Sequence, residues 1–199
     1  MIVLLPPSET KRTGGDGPPL RLDELSSPGL TPLRKELVDE LVRLAADPPG
    51  CRMALGLAAA QDAEIERNAA LRRAPTLPAI QRYTGVLYDA LDVGSLRGAA
   101  AGRARTRLAV GSALFGLLRA DDAVPAYRFS ASAKLPGRPG LSTQWRPALE
   151  PILAELANHE LIVDLRSGSY AALGRVPAAV RVRACESFIL SRRLSALNP

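Results

Sequence analysis

Ser8-Glu9-Thr10-Lys11 places a hydroxyl and a primary amine three residues apart. S-x-x-K is the spacing with which a lysine activates a serine nucleophile in penicillin-recognising enzymes. The companion S-D-N and K-T-G motifs of that chemistry are absent. Here the four residues follow a short apolar run and two prolines instead of opening a helix. Two other readings are open. One is a plain polar turn. The other is an anion-binding corner made by Ser8, Thr10, Lys11 and free backbone amides at the carboxyl end of a strand, where open α/β sheets place their ligands. Ser112 is the next nucleophile to test. Its glycines stand at 111 and 116 and miss the G-x-S-x-G elbow, and His159 is the single histidine, so a Ser-His-Asp triad is not expected. Gly14-Gly15-Asp16-Gly17 lacks P-loop spacing. Asp121, Asp122 and Asp164 show no metal-ligand spacing, and neither a metal site nor a cofactor is expected. His159 reads as a solvated turn residue, and Cys51 and Cys185 as inert small hydrophobes.

The charge balance favours anionic partners. Twenty-six basic residues face twenty acidic ones, for a net charge of +6, and only Lys11, Lys35 and Lys134 among the basic residues are lysine. Nucleic acid, nucleotides and phosphorylated metabolites are the ligand classes this favours. Arg97, Arg103, Arg105 and Arg107 form one basic group, and Arg175, Arg181, Arg183, Arg192 and Arg193 another. Each is either a solvated face or a set of guanidinium forks for phosphates. Tyr83, Tyr88, Tyr127 and Tyr170 either stack on bases or sit half-buried with satisfied hydroxyls.

These groups need a scaffold. A chain of 199 residues with 47% hydrophobic and 4% aromatic side chains is globular, with a core of Ala, Leu and Val. Residues 2–5 read as a buried first strand and 6–28 as a long loop. Thr31-Pro32 opens a helix whose stripe is Leu33, Leu37, Leu41 and Leu44, ended by Asp47-Pro48-Pro49-Gly50. Residues 53–73 read as a second helical region, and 79–91 as two short helical stretches joined at Gly85. Strands are expected at 107–110, 126–132, 161–165 and 180–187. Residues 145–158 read as a helix with Pro147 tolerable only in its first turn. Gly111-Ser112-Ala113-Leu114-Phe115-Gly116 reads as a tight strand-to-helix connection. The irregular alternation gives a mixed α/β class. No apolar run reaches membrane-span length and the N-terminus lacks a basic leader, so a cytoplasmic protein is expected.

Five segments carry a resemblance. They are the first strand with Pro6-Pro7-Ser8-Glu9-Thr10-Lys11; Arg82-Tyr83-Thr84-Gly85-Val86-Leu87-Tyr88; the run from Gly111 through Leu118-Arg119-Ala120-Asp121-Asp122 with Pro125-Ala126-Tyr127-Arg128; Trp145; and Asp164-Leu165-Arg166-Ser167-Gly168-Ser169-Tyr170. In this order they resemble the YaaA family of peroxide-stress proteins over residues 1–173. Phe115 stands where that family commonly has tyrosine, and Ala120 where it has proline. Ser187-Phe188-Ile189-Leu190-Ser191-Arg192-Arg193 is similar to a degenerate form of the family's closing basic segment, so the single domain expected over 1–199 has a divergent or truncated portion from about 175.

The resemblance implies a single compact mixed α/β domain with a basic cleft and a helix-hairpin-helix-like element, the hairpin falling at 83–88. It implies a peroxide-stress protein that binds nucleic acid in that cleft and so limits oxidative damage. The anion-binding positions carried over are Ser8, Lys11, Arg82, Thr84, Gly85, Arg119, Arg128 and Arg166. The alternative is an enzyme acting on a nucleotide or a phosphorylated or carboxylated small metabolite in the same cleft. Lys11 would then be nucleophile or base, with Ser8, Asp121 and Asp164 as its catalytic companions.

Overall fold

A computed structural model describes residues 1–177 and the backbone of 181–183. It is a mixed α/β structure. The apolar run forms β1 (Ile2–Leu5), with Ile2, Leu4 and Leu5 buried. It lies at the centre of a five-stranded sheet with β4 (Leu108–Ser112), β5 (Gly116–Arg119), β7 (Ile162–Asp164) and β8 (Arg181–Arg183), in the order β5-β4-β1-β7-β8. β4 and β7 run parallel to β1, and β8 parallel to β7; β5 returns antiparallel. The register pairs Leu5 with Val110 and Leu4 with Asp164, which aligns the carboxyl ends of β1, β4 and β7 along one edge. A second sheet pairs β2 (Gly17–Pro19), β3 (Pro75–Pro78) and β6 (Ala123–Val124) antiparallel, and β2 crosses the long loop after β1.

Helices cover these sheets. They are α1 (Thr31–Leu44), α2 (Pro48–Leu55), α3 (Asp62–Ala69), α4 (Ala79–Arg82), α5 (Val86–Leu91), α6 (Gly98–Arg107), α7 (Leu141–His159) and α8 (Gly168–Ala171). On α1, Leu37 and Leu41 are fully buried and Leu44 nearly so. The Thr31 hydroxyl does not cap the helix; it donates to the Leu22 carbonyl. Pro48-Pro49, expected to end a helix, opens α2 instead, because a first turn has no use for those N–H groups. The single helical region expected over 53–73 is therefore two helices, α2 and α3, separated by a turn at Gly56.

Three further expectations are corrected. Residues 126–132 form no strand; the strand here is the short β6 just before them. Pro147 and Pro151 both lie inside α7, which begins at Leu141. That helix holds because Leu141, Trp145, Leu149 and Leu153 bury one face at i, i+4 spacing while both prolines face outward. His159 is the last residue of α7, bound to Glu155 at 2.9 Å.

The third correction concerns 111–116, which is a β-hairpin turn between β4 and β5 and leads into no helix. Ser112 Oγ accepts the N–H groups of Leu114 and Phe115 at 3.2 and 3.0 Å, closing the turn from inside. Gly116 has φ 74°, and a Cβ there would meet the Trp145 ring at 2.7 Å. Trp145 in turn donates its indole N–H to the Ala113 carbonyl at 2.8 Å. Gly116→Ala combines left-handed backbone strain with a ring clash, and is expected to cost about 2–4 kcal/mol in urea denaturation. Gly56→Ala, at φ 65° with open space around it, isolates the backbone share at about 1 kcal/mol.

Candidate functional site

Pro6-Pro7 ends β1 because neither residue can donate to a ladder, and the chain turns out at the carboxyl edge of the sheet. Ser8 and Thr10 hydroxyls bond at 3.1 Å, and the Thr10 N–H donates to Ser8 Oγ at 3.3 Å. The next residues lie against the α4–α5 connection. Lys11 bridges Tyr83 in antiparallel fashion, Arg12 N–H donates to the Arg82 carbonyl at 2.8 Å, and Thr84 N–H donates to the Thr10 carbonyl at 3.2 Å. The Thr10 hydroxyl reaches the Thr84 carbonyl at 3.3 Å. Gly85 has φ 101°, and a Cβ on it would approach Ser8 Oγ to 3.3 Å and Thr10 Oγ1 to 3.5 Å. Glycine is favoured there by the backbone angle, and a side chain would also crowd the Ser8 hydroxyl.

Lys11 sits over aromatic faces. Its Nζ is 4.3 Å from the Tyr127 ring centre and 5.3 Å from that of Tyr83, and it donates to the Ser8 and Glu9 carbonyls at 3.0 and 3.4 Å. The rings beneath it are locked. Tyr127 hydroxyl bonds Ser112 Oγ and the Tyr83 hydroxyl, both at 2.7 Å, and Tyr88 donates to the Pro6 carbonyl at 2.8 Å. Tyr83, Tyr88 and Tyr127 are buried, which removes them as base-stacking platforms. Burial pushes all of their hydroxyl pKa values upward, so they stay neutral. Tyr170 is partly exposed and lines the same recess.

Burial acts in the opposite sense on the amine. Lys11 is lowered from 10.5 to about 7, chiefly by loss of water, then by the Arg128 guanidinium, with a smaller push from Arg67; Glu9 and Glu64 oppose the shift. Arg128 is ion-paired with Glu9 at the mouth of the recess. Its backbone is clamped by the buried Asn68 amide, which accepts the Arg128 N–H and donates to its carbonyl, both at 2.8 Å. Sequence reading missed Asn68 and Ser130, which carry no motif; only packing brings them here. The recess is narrow, walled by Ser8, Glu9, Lys11, Arg128, Ser130 and Tyr170.

The structure therefore brings Ser8, Lys11, Thr84, Gly85 and Arg128 together and takes the other candidates elsewhere. Arg82 is fully buried, with its guanidinium on the carbonyls of Val124 (3.0 Å), Gly14 (2.9 Å), Pro75 (3.2 Å) and Arg12. Arg166 grips Asp164 in a two-pronged pair, 2.9 Å from Nε and 3.1 Å from Nη2, and donates to the Gly174 carbonyl at 2.9 Å. Both side chains are 1% exposed. Arg119 and Asp121 are at the opposite end of the sheet: Arg119 pairs with Ala109, whereas the carboxyl end of β4 is Ser112 facing Gly116. Arg119 donates to the Thr106 carbonyl, and Asp121 is paired with Arg105 at 2.7 Å. Arg119 and Asp121 thus lie away from Lys11, and the Asp164 carboxylate is engaged by Arg166. Arg97, Arg103, Arg105 and Arg107 are exposed on and beside α6, as is Arg175. The side chains of Arg181 and Arg183, together with Cys185 and the 187–193 segment, lie outside the described residues. Among the described residues no group of three potential metal ligands is found. None of the described helices is long and apolar enough to cross a membrane.

Comparison with known proteins extends the match beyond those five segments. A family model described as peroxide stress protein YaaA matches residues 1–188. A UPF0246 protein of Corynebacterium efficiens is 47% identical over 187 residues, covering 92% of this chain and 73% of its own length. A UPF0246 protein of Streptomyces coelicolor is 45% identical over 184 residues, covering 92% and 71%. An uncharacterized protein of Campylobacter jejuni is 35% identical over 100 residues, half of this chain and 40% of that one.

Proposed function

The chain belongs to the peroxide stress protein YaaA family, and from that premise we propose that it acts in the cytoplasm during peroxide stress by holding nucleic acid at the Lys11 recess. The observation that carries this reading is the convergence of Lys11, Arg128 and Ser8 beside the Thr84-Gly85 turn at the carboxyl edge of the sheet. One amine, one guanidinium and one hydroxyl around a narrow recess suit a single backbone phosphate. The two short helices flanking Tyr83-Thr84-Gly85 support a hairpin that offers the adjacent backbone to the same strand. The basic residues of α6 supply a diffuse field that attracts polyanions. A second reading, a phosphorylated small metabolite bound and processed in the recess, is favoured by the lowered Lys11 pKa beside the Ser8 hydroxyl and the Arg128 guanidinium.

Fluorescence anisotropy with duplex and single-stranded DNA at ~50 and ~200 mM salt tests the first reading. Lys11→Ala and Arg128→Ala are each expected to weaken binding about tenfold, the scale of one charge-assisted contact. Arg119→Ala, at the other end of the sheet, should change little. Because an anion prefers the protonated amine, affinity should fall as pH rises through about 7 in the wild type and stay flatter in Lys11→Ala. Absence of binding at the lower salt overturns the nucleic-acid reading. Binding of ribose 5-phosphate or nucleotides without DNA would then select the second.

A further inference from the structure

Nothing in phosphate binding requires that a cation be buried against two ring faces; a solvated lysine would serve. We propose that Lys11 is a covalent carbonyl-capturing residue, whose Nζ condenses with the aldehyde of a sugar phosphate while Arg128 holds the phosphate. This deepens the reading of the recess as an anion site and rests on it.

The groups around the amine hold it in place and can satisfy its neutral form. A neutral amine has two N–H bonds and a lone pair, and Nζ has two carbonyl acceptors, those of Ser8 and Glu9. No carboxylate among the described residues forms an ion pair with it. Tyr83 and Tyr127 exclude water from beneath it, and their hydroxyls are engaged with each other and with Ser112. The charged groups acting on it are Arg128 and Arg67, which favour the neutral form, and Glu9 and Glu64, which oppose it; burial is the largest influence and favours the neutral amine. The other lysines, Lys35 and Lys134, are exposed.

The chemistry closes without a further reagent. The Nζ lone pair attacks the aldehyde carbon, and the carbonyl oxygen becomes a hydroxyl. It then leaves as water carrying both former amine protons, and a C=N bond remains. Glu9, whose side chain is 58% exposed, pairs with Arg128 and marks where the substrate's anion would sit. Rotation of that one surface side chain frees the guanidinium. A sugar-phosphate aldehyde has two sources, a free metabolite and the ring-opened sugar at an abasic site in DNA.

The test uses the full chain with two probes, ribose 5-phosphate and a duplex oligonucleotide bearing one abasic site, each trapped with borohydride. The free sugar is read by intact mass and peptide mapping, the oligonucleotide by a covalent band on a denaturing gel. Trapping on Lys11 at pH 7–7.5 is expected to exceed that on Lys35, Lys134 or the Met1 amine at least tenfold, and to rise between pH 6 and 8. Labelling by only one probe identifies the source. Lys11→Arg, which keeps the charge and removes the nucleophile, should abolish trapping. Failure to label Lys11 with either probe, or labelling spread evenly over the amines, overturns the proposal. The mapping within the wild type holds even if the variant folds poorly. Loss of DNA binding in the anisotropy assay is a separate result, since ribose 5-phosphate trapping does not depend on it.

Discussion

Arg82→Met is expected to unfold far more readily than any surface arginine variant, losing about 3–5 kcal/mol in urea denaturation and about 10–15 °C in Tm. Arg82 is fully buried and contacts no carboxylate; its donors end on the carbonyls of Val124, Gly14, Pro75 and Arg12. Those four carbonyls come from β3, β6 and the loop that carries Lys11 into place. The guanidinium fork ties these segments together at one corner. Methionine fills comparable volume but leaves the acceptors buried and unpaired, each of which costs about 1–3 kcal/mol before relaxation. Burial lowers the guanidinium pKa to about 10, which keeps it charged at any physiological pH. A variant with wild-type stability and lost DNA binding would show instead that Arg82 meets ligand.

Arg166→Met should be nearly as damaging, at about 3–5 kcal/mol, because it strips the two-pronged partner from an Asp164 side chain that is 1% exposed. The same change frees the Gly174 carbonyl. The backbone here is shaped around this arginine: a Cβ on Gly111 would lie 2.8 Å from Arg166 Cδ. The double variant Asp164→Asn/Arg166→Met should recover at least about 1 kcal/mol relative to Arg166→Met alone, since it removes the buried charge that has lost its guanidinium. Additive losses in that cycle would mean that the pair is not the source of the effect. Tyr170, whose carbonyl faces Arg166 at 3.5 Å, walls the recess, so a weaker anion affinity should accompany the loss of stability.

Both arginines were candidates for phosphate forks on sequence grounds, and both direct their donors to groups inside the fold for a general reason. A guanidinium offers five donors in a plane, and a phosphate and a set of orphaned carbonyls satisfy them equally well. Arg34 makes the same point where no motif drew attention: it is buried on α1 and donates to the Phe115 and Leu117 carbonyls at 2.9 and 2.8 Å. Residue type announces the donor set, and enclosure by the backbone decides the acceptor.

The sequence by itself determined the elements that depend on local chemistry. The apolar run at β1, its arrest by Pro6-Pro7, the glycine-hinged connection at 83–85 and the family signature were all legible, because backbone restriction and short-range pattern specify them. Only the tertiary structure decided which charged groups share a site. Pairing of Lys11 with Tyr83 across 72 residues draws the corner onto the turn, and Asn68 carries Arg128 to the same recess. The strand register sends Arg119 and Asp121 to the far end of the sheet. Distance in sequence carries no information about any of these approaches; they follow from how parallel strands align their carboxyl ends and from which carbonyls the packing leaves without partners.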